Sequence, residues 1–457
     1  MNKWVLLACV SLFTSILYAQ PAYDEICKNR LLSVSNYRAY PGPVQHQLTP
    51  APRGYKPFYI SHYGRHGSRF HSKPSMYNAP YLTLLEADSL GKLTPKGKEV
   101  MHQLDIIRCD AEDHWGDLTK LGAQEEQDIA RRMFERFPEV FKGHADVDAR
   151  STGVSRCVLS MEYTLMQLVR LNPSLNIHHH ATHRDMYYLN LQDKELFNLR
   201  KGKEFIRQYK TFTSQHNDNR HLMRTLFNDS VYVAKCVNSY ELAEQLLLVA
   251  GILPNVELGK HISLFDIFTA EEAYRIWKNT NAWWYLGWGN NEVTGGKMPF
   301  LQRNLLRKMI EQADSCIQLP KTNVQLRFGH ETVVLPLLCL LDVNGFGQQV
   351  DDLNQLEEKG WINYRAFPMG ANLQLIFYRK NRRDRDPIFK VLLNENEATL
   401  PLPTTQAPYY RWSDFRNHYL KKLDAYENCT DTPLTDCYPP LAGGHYAERG
   451  TVCLLSR

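Results

Sequence analysis

Apolar positions along the chain follow two rhythms. The aromatic and β-branched run PFYISHYG, Pro57 to Gly64, predicts a buried strand that opens into a loop at its glycine. GDLTKLGAQEEQDIARRMFERF predicts a helix starting near Thr119, with Ile129, Met133 and Phe137 on one face and Ala130 and Phe134 beside them. ADVDARST reads as a strand end, and VSRCVLSMEYTLMQLVRL as a helix that reaches Leu171 before Pro173. From about Asp193 to Cys316 helical spacing dominates, in NSYELAEQLLLVAGIL and FLQRNLLRKMIEQADSCI, with the aromatic-rich AYRIWKNTNAWWYLGWG between them. The strand–loop–helix pattern resumes in VQLRFGHETVVLPLLCLLDV. ANLQLIFYRK and DPIFKVLLNENE then flank the polar NRRDRD and predict a β-hairpin with a solvated basic tip.

Strands that alternate with helices predict an α/β fold, a three-layer sandwich around a largely parallel central sheet. The expected organisation is an α/β domain built from residues 20–190 and 318–457, interrupted by a mostly helical cap over 191–317. A ligand is expected in the crevice between them.

Composition narrows the partners. A net charge of +5 over 457 residues, with no dense basic run interleaved with aromatics, argues against a nucleic-acid partner. It is compatible with an anionic small molecule. Lys3, the apolar stretch Trp4–Leu17 and the small Ala19 have the layout of a secretory signal peptide, residues 1–19, so export to a periplasm or the exterior is expected. The alternative, a lipidated Cys9 after LLAC, has too little apolar sequence before it and too much after. No later segment has the ~20 continuous apolar residues of a membrane span. Of the nine cysteines after Cys9, Cys429 and Cys437 are the best candidates to pair. There is no C-x-x-C, which argues against structural zinc.

The chemistry concentrates in YISHYGRHGSRFHS, Tyr59 to Ser72. Arg65 and Arg69 flank His66 and repel each other unless an anion lies between them, either a side chain or a substrate. A phosphoryl group suits the planar guanidinium fork, and a neutral imidazole is a competent nucleophile for phosphorus. Arg150, at a strand end, could bring a third guanidinium. RFGHET repeats the pattern of strand, glycine, His330 and Glu331 at a helix start: the histidine could donate to a phosphoryl oxygen and the carboxyl could protonate a departing one. Glu331 could equally be an ordinary first-turn acid favoured by the helix dipole. The run His178, His179, His180 and His183 reads as solvated rather than as a metal ligand set, and Trp283, Trp284 and Trp288 as core of the helical region.

Four segments in order resemble the histidine acid phosphatases, which include phytases and multiple inositol-polyphosphate phosphatases. RHGSR resembles the family's R-H-G-x-R, and LTKLGAQ (Leu118 to Gln124) its L-T-x-x-G-x-x-Q. RSTGVSR resembles the segment with the third arginine, and GHETVVLPLL the segment with the proton donor. The resemblance implies a phosphoglycerate-mutase-like fold and an exported phosphomonoesterase acting through a phosphohistidine, with inositol polyphosphates such as phytate the leading substrate. His66 would be the nucleophile; Arg65, Arg69, Arg150 and His330 would bind the phosphoryl group; Glu331 would be the proton donor. No metal and no cofactor are implied. Two positions depart from the pattern. His71 replaces a frequent proline, and the donor segment reads His-Glu, with the residue type of the inositol-polyphosphate branch at the spacing of the other. A broad acid phosphatase for sugar phosphates or nucleotides, and a phosphate-ester binding protein without catalysis, are the rival readings.

Overall fold

The computed structural model describes residues 21–318 and 323–429. The segment 1–19 and Cys437, one half of the expected Cys429–Cys437 pair, lie outside the described residues. An eight-stranded sheet forms the centre: β1 (Lys56–Arg65), β2 (Asp146–Ser151), β3 (Asn176–His180), β4 (Asn323–Gly329), β5 (Asn372–Arg379), β6 (Ile388–Leu393), β7 (Asn396–Ala398) and β8 (Tyr410–Arg411). The order is β3-β2-β4-β1-β5-β6-β7, with β8 also paired to β6. The first four neighbours are parallel, while β5 runs antiparallel to β1 and β6 to β5. The hairpin expected around NRRDRD is present, with Tyr378 opposite Ile388.

Both faces of the sheet are covered, which is why its central strands read as near-continuous apolar runs rather than as alternations. Ile60, Val147, Ala149, Val324, Leu326, Phe328 and Ile376 point to one face, against Ala130 and Met133 of α4 (Lys120–Arg136) and Met161, Leu165 and Leu168 of α5 (Ser155–Leu171). Tyr59, Tyr63, Leu375, Phe377 and Val391 point to the other. There they meet the helices Arg303–Gln318, Glu331–Leu341 and Trp412–Cys429. This is the three-layer arrangement read from the sequence. Each aliphatic or aromatic side chain buried this way contributes about 1.5–3 kcal/mol.

Between β3 and β4 the described chain is helical. Two helices from earlier in the sequence, Ser75–Ser89 and Pro95–Asp110, share a core with the helix Ser239–Ile252: Tyr77, Leu84, Val100 and Leu104 pack with Leu242, Leu246 and Leu247. Trp284 and Trp288 are buried, as expected, and Trp283 packs half-buried against the same core. No described helix is long and apolar enough to cross a membrane.

Candidate functional site

The carboxyl ends of three adjacent parallel strands, β2, β4 and β1, open at one edge of the sheet, the usual place for a ligand in an α/β fold. β1 delivers Arg65 and His66. β4 ends at Gly329 and is followed by His330, which precedes the helix Glu331–Leu341. β2 leads through Thr152 into α5. Backbone bonds fix the junction: His66 N–H donates to the Gly329 carbonyl at 3.0 Å, and Arg65 N–H to that of Ala371 at 2.7 Å.

The loop after His66 is clamped by the start of α4. Thr119 caps that helix, accepting from Gly122 N–H, while its own N–H and Oγ1 both donate to the Ser68 carbonyl, at 2.9 and 3.0 Å. The crossing is close enough to require glycine on both sides. A Cβ on Gly67 would lie 2.4 Å from the Gly122 carbonyl oxygen, and one on Gly122 would lie 2.2 Å from that of Ser68. Glu125 completes the clamp, accepting from Ser68 N–H at 2.7 Å, Ser68 Oγ at 2.8 Å and Tyr40 N–H at 2.7 Å. The eighth position of the L-T-x-x-G-x-x-Q segment, counted from Leu118, is therefore Glu125 and not Gln124.

His66 is fully buried. Its Nδ1 lies 2.9 Å from the Gly67 carbonyl, which can only accept, so Nδ1 carries the hydrogen and Nε2 keeps its lone pair. Nε2 has no hydrogen-bond partner among the described residues. Burial, and then the charges of Arg156, Arg65 and Arg69, hold His66 well below the ordinary imidazole range, so it is neutral in mild acid. The His330 ring stands edge-on to that of His66, 5.7 Å between centroids. Its Nε2 lies 3.4 Å from Thr152 Oγ1, and Cys157 Sγ lies 3.8 and 3.9 Å from its two ring nitrogens.

Arg65 is buried and held on three sides. Nη1 donates to the carbonyls of Asn36 at 2.5 Å and Phe367 at 3.0 Å, and Nε lies 3.0 Å from Glu331 Oε2. Arg69, also buried, donates from Nη1 to the Phe70 carbonyl and lies over the Tyr37 ring. Glu331 Oε2 is 3.9 Å from His66 Nε2, and Oε1 accepts from Asn36 Nδ2 at 3.2 Å. Burial pushes the Glu331 carboxyl up, but Arg65, Arg69 and His330 outweigh it and hold the group at about 2. A side-chain carboxylate therefore occupies part of the space between the arginines.

The third guanidinium corrects the sequence reading. Arg150 lies on β2 two residues from Asp148, on the same face, and pairs with it at 2.9 Å and with Asp185 at 3.5 Å. It turns away from the cluster. Arg156, in the first turn of α5, is buried and is the strongest charge acting on His66. RSTGVSR holds both arginines, and only the helix start separates them. Sequence reasoning also missed Asn36, which lies far from every motif. His71 is buried between Tyr37 and Tyr77 and bonds through Nε2 to the Leu248 carbonyl, tying the loop to the helical region.

The ligand atoms of His66, His330 and Glu331 lie within 4.8 Å of one another, a spacing a metal ion could span. Three guanidiniums acting on His66, against one carboxylate, oppose a cation there and favour an anion. On the histidine run, β3 is an exposed edge strand and His179 pairs with Glu162 at 2.8 Å. No metal-binding trio forms there among the described residues.

Comparison with known proteins agrees with this geometry. A 178-residue stretch is 26% identical to human multiple inositol polyphosphate phosphatase 1, covering 36% of each chain, so the match spans about a third of that relative's length. The fold is similar to that of Bifidobacterium longum multiple inositol polyphosphate phosphatase in complex with inositol hexasulfate: TM-score 0.72, 17% identity, 85% of this chain and 97% of that one. It is also similar to the phytase from D. castellii, with TM-score 0.64, 14% identity and 90% of each chain covered. The model of the histidine phosphatase superfamily, branch 2, matches residues 64–394, which run from the end of β1 through β6 and take in all three arginines and both histidines. By that match the chain belongs to the histidine phosphatase superfamily, branch 2.

Proposed function

We propose that the chain is a phosphomonoesterase that works through a phosphohistidine on His66, with inositol polyphosphates as substrates. The observation that carries the reaction is His66 itself: a buried, neutral ring fixed through Nδ1, its Nε2 lone pair unengaged beside Arg65, Arg69 and Arg156. Nε2 attacks phosphorus, the P–N bond forms, and the bond from phosphorus to the ester oxygen breaks. The guanidiniums and His330 offset the charge that gathers on the phosphoryl oxygens. Glu331 gives a proton to the departing oxygen. Water then attacks phosphorus, Glu331 takes the proton back, and phosphate leaves a regenerated His66.

At 3.9 Å from Nε2, Glu331 leaves no room for a phosphoryl group between them. The substrate must draw Arg65 away from the carboxylate, and the carboxylate, set aside, becomes the acid. The same ion pair is the one feature that favours binding without turnover. The substrate class rests on the surplus of positive charge and on the similarity to the human and B. longum multiple inositol polyphosphate phosphatases. The test is release of phosphate from inositol hexakisphosphate, a sugar phosphate and a nucleotide by the wild type and by His66→Ala. Turnover lost in the variant, and fastest on the inositol ester in the wild type, is expected. Full activity in His66→Ala overturns the nucleophile; binding with no turnover in the wild type selects the rival reading.

A further inference from the structure

We propose that Asn36 is a positioning residue that decides which oxygen of Glu331 carries the transferable proton. The inference rests on the reading of Glu331 as the leaving-group acid. Asn36 is buried, and it meets both halves of the ion pair: its carbonyl accepts from Arg65 Nη1 at 2.5 Å, and its Nδ2 donates to Glu331 Oε1 at 3.2 Å. An oxygen that already accepts an amide N–H is the wrong place for a hydroxyl hydrogen, because the two hydrogens would point at each other. Protonation is therefore directed to Oε2, the oxygen that faces Arg65 Nε at 3.0 Å and His66 Nε2 at 3.9 Å. Once a phosphoryl group has taken over Arg65, Oε2 is the oxygen turned toward the reacting centre.

The backbone is built to hold the amide there. Ser35, the residue before it, has φ 56° and ψ −117°, a region that favours glycine, and it is buried with no hydrogen-bond partner for Oγ among the described residues. Ser35 itself gains nothing visible from this conformation. Both flanks are pinned. Arg30 Nη1 donates to the carbonyls of Phe265 and Phe268 at 2.8 Å, Asn255 Nδ2 donates to that of Tyr37 at 2.9 Å, and Met369 N–H donates to that of Arg38 at 2.8 Å. The segment crosses from the helical region to the sheet and turns one side chain inward at the acid. The charged and titratable groups facing Glu331 are Arg65, Arg69, His330, His66, Tyr37 and Tyr63.

The test compares an alkyl phosphate, a poor leaving group that needs a proton, with an aryl phosphate that does not. Asn36→Leu keeps the backbone carbonyl for Arg65 and removes only the amide. Its kcat on the alkyl ester is expected to fall about tenfold or more while the aryl rate changes little, since positioned proton transfer contributes at least that much. Equal losses on both esters would make Asn36 merely structural and overturn the proposal. Asn36→Asp guards against misfolding, because its alkyl-to-aryl ratio is read within one preparation. In acid the new carboxyl is protonated and can still donate to Oε1, so the ratio stays near wild type. Nearer neutrality it ionises and the ratio drops. A ratio that tracks wild type across pH refutes the mechanism. Glu331→Gln separates the two readings: if it slows both esters alike, the acid assignment fails. If it discriminates and Asn36→Leu does not, only the Asn36 proposal fails.

Discussion

Binding of phosphate should make this protein take up a proton, and Glu331 should be the group that takes it. In the unliganded site the carboxyl titrates at about 2. In mild acid, three pH units above that, only about one molecule in a thousand carries the proton, and placing it there costs about 4 kcal/mol. A phosphate bound to Arg65 changes both sides of this balance. Glu331 loses the guanidinium 3.0 Å from Oε2 and gains an anion. At about 4 Å and an effective dielectric of about 20, each unit of negative charge raises the energy of the carboxylate by about 4 kcal/mol. A dianion then contributes about 8 kcal/mol, roughly six pH units, enough to move the group from about 2 to above neutrality. The assay is titration calorimetry with inorganic phosphate at about pH 7, in two buffers of different ionisation enthalpy. Because inorganic phosphate is itself close to its second ionisation at that pH, uptake of a fraction of a proton is expected, rising as the pH is raised just above neutrality. In mild acid phosphate arrives wholly as a monoanion carrying its own proton, and the net uptake should approach zero. Glu331→Gln should abolish the uptake and His66→Ala should keep it. No uptake by the wild type near neutrality, or the same uptake by Glu331→Gln, would refute the reasoning.

Three further outcomes follow from the geometry. Arg156→Met should lower kcat/KM on any phosphomonoester by about a hundredfold to a thousandfold, the usual loss for a transition-state donor, while Arg150→Met should stay within a few-fold of wild type; the reverse order would restore Arg150 to the site. Glu125→Leu leaves the buried Ser68 N–H and hydroxyl and the half-buried Tyr40 N–H without their acceptor, at about 1–3 kcal/mol for each buried group, and denaturant unfolding should show a loss of several kcal/mol that Glu125→Gln partly recovers. Ser35→Gly removes the positive-φ strain and should stabilise the fold by about 1–3 kcal/mol in the same measurement, less whatever entropy the glycine adds to the unfolded chain.

The legibility of the site in the sequence depends on how local each contact is. RHGSR announced itself because the strand, the turn and three of the functional side chains lie within a dozen residues, and GHET did so for the same reason. The hairpin from Asn372 to Leu393 was equally legible, its two apolar runs flanking an obvious polar turn. RSTGVSR was legible as a segment but misread by residue. The alternation in DVDARS, which puts Arg150 beside Asp148, and a helix that starts at Ser155 together point to Arg156. The clamp by Glu125 was missed by one position. Asn36 had no local signal. It lies 29 residues before Arg65 and 295 before Glu331, and no propensity or spacing connects them. It reaches the site only because the chain from 30 to 38 is anchored at one end to distant carbonyls and at the other to distant N–H donors.

The question raised by two arginines flanking a histidine has an answer that combines both alternatives. Three guanidiniums brought to one edge of a sheet repel one another, and burial removes the water that would screen them. Without an internal anion the unliganded protein would carry that repulsion in full. Glu331 relieves it. The downward displacement of its carboxyl, from the ordinary 4.5 to about 2, corresponds to roughly 3 kcal/mol of stability. Because the folded value is the depressed one, that contribution is complete above about 4.5 and is lost as the pH falls through about 2. A phosphoryl dianion brings twice the charge of the carboxylate and more oxygens, so it can displace Glu331 from Arg65. On the proposed mechanism the displaced group is then an acid next to the bond that breaks. A residue that only stabilised the empty site would have no reason to lie 3.9 Å from Nε2 of His66, and one that only donated protons would have no reason to pair with Arg65. On that proposal one carboxylate serves both ends because the substrate itself switches it from one to the other.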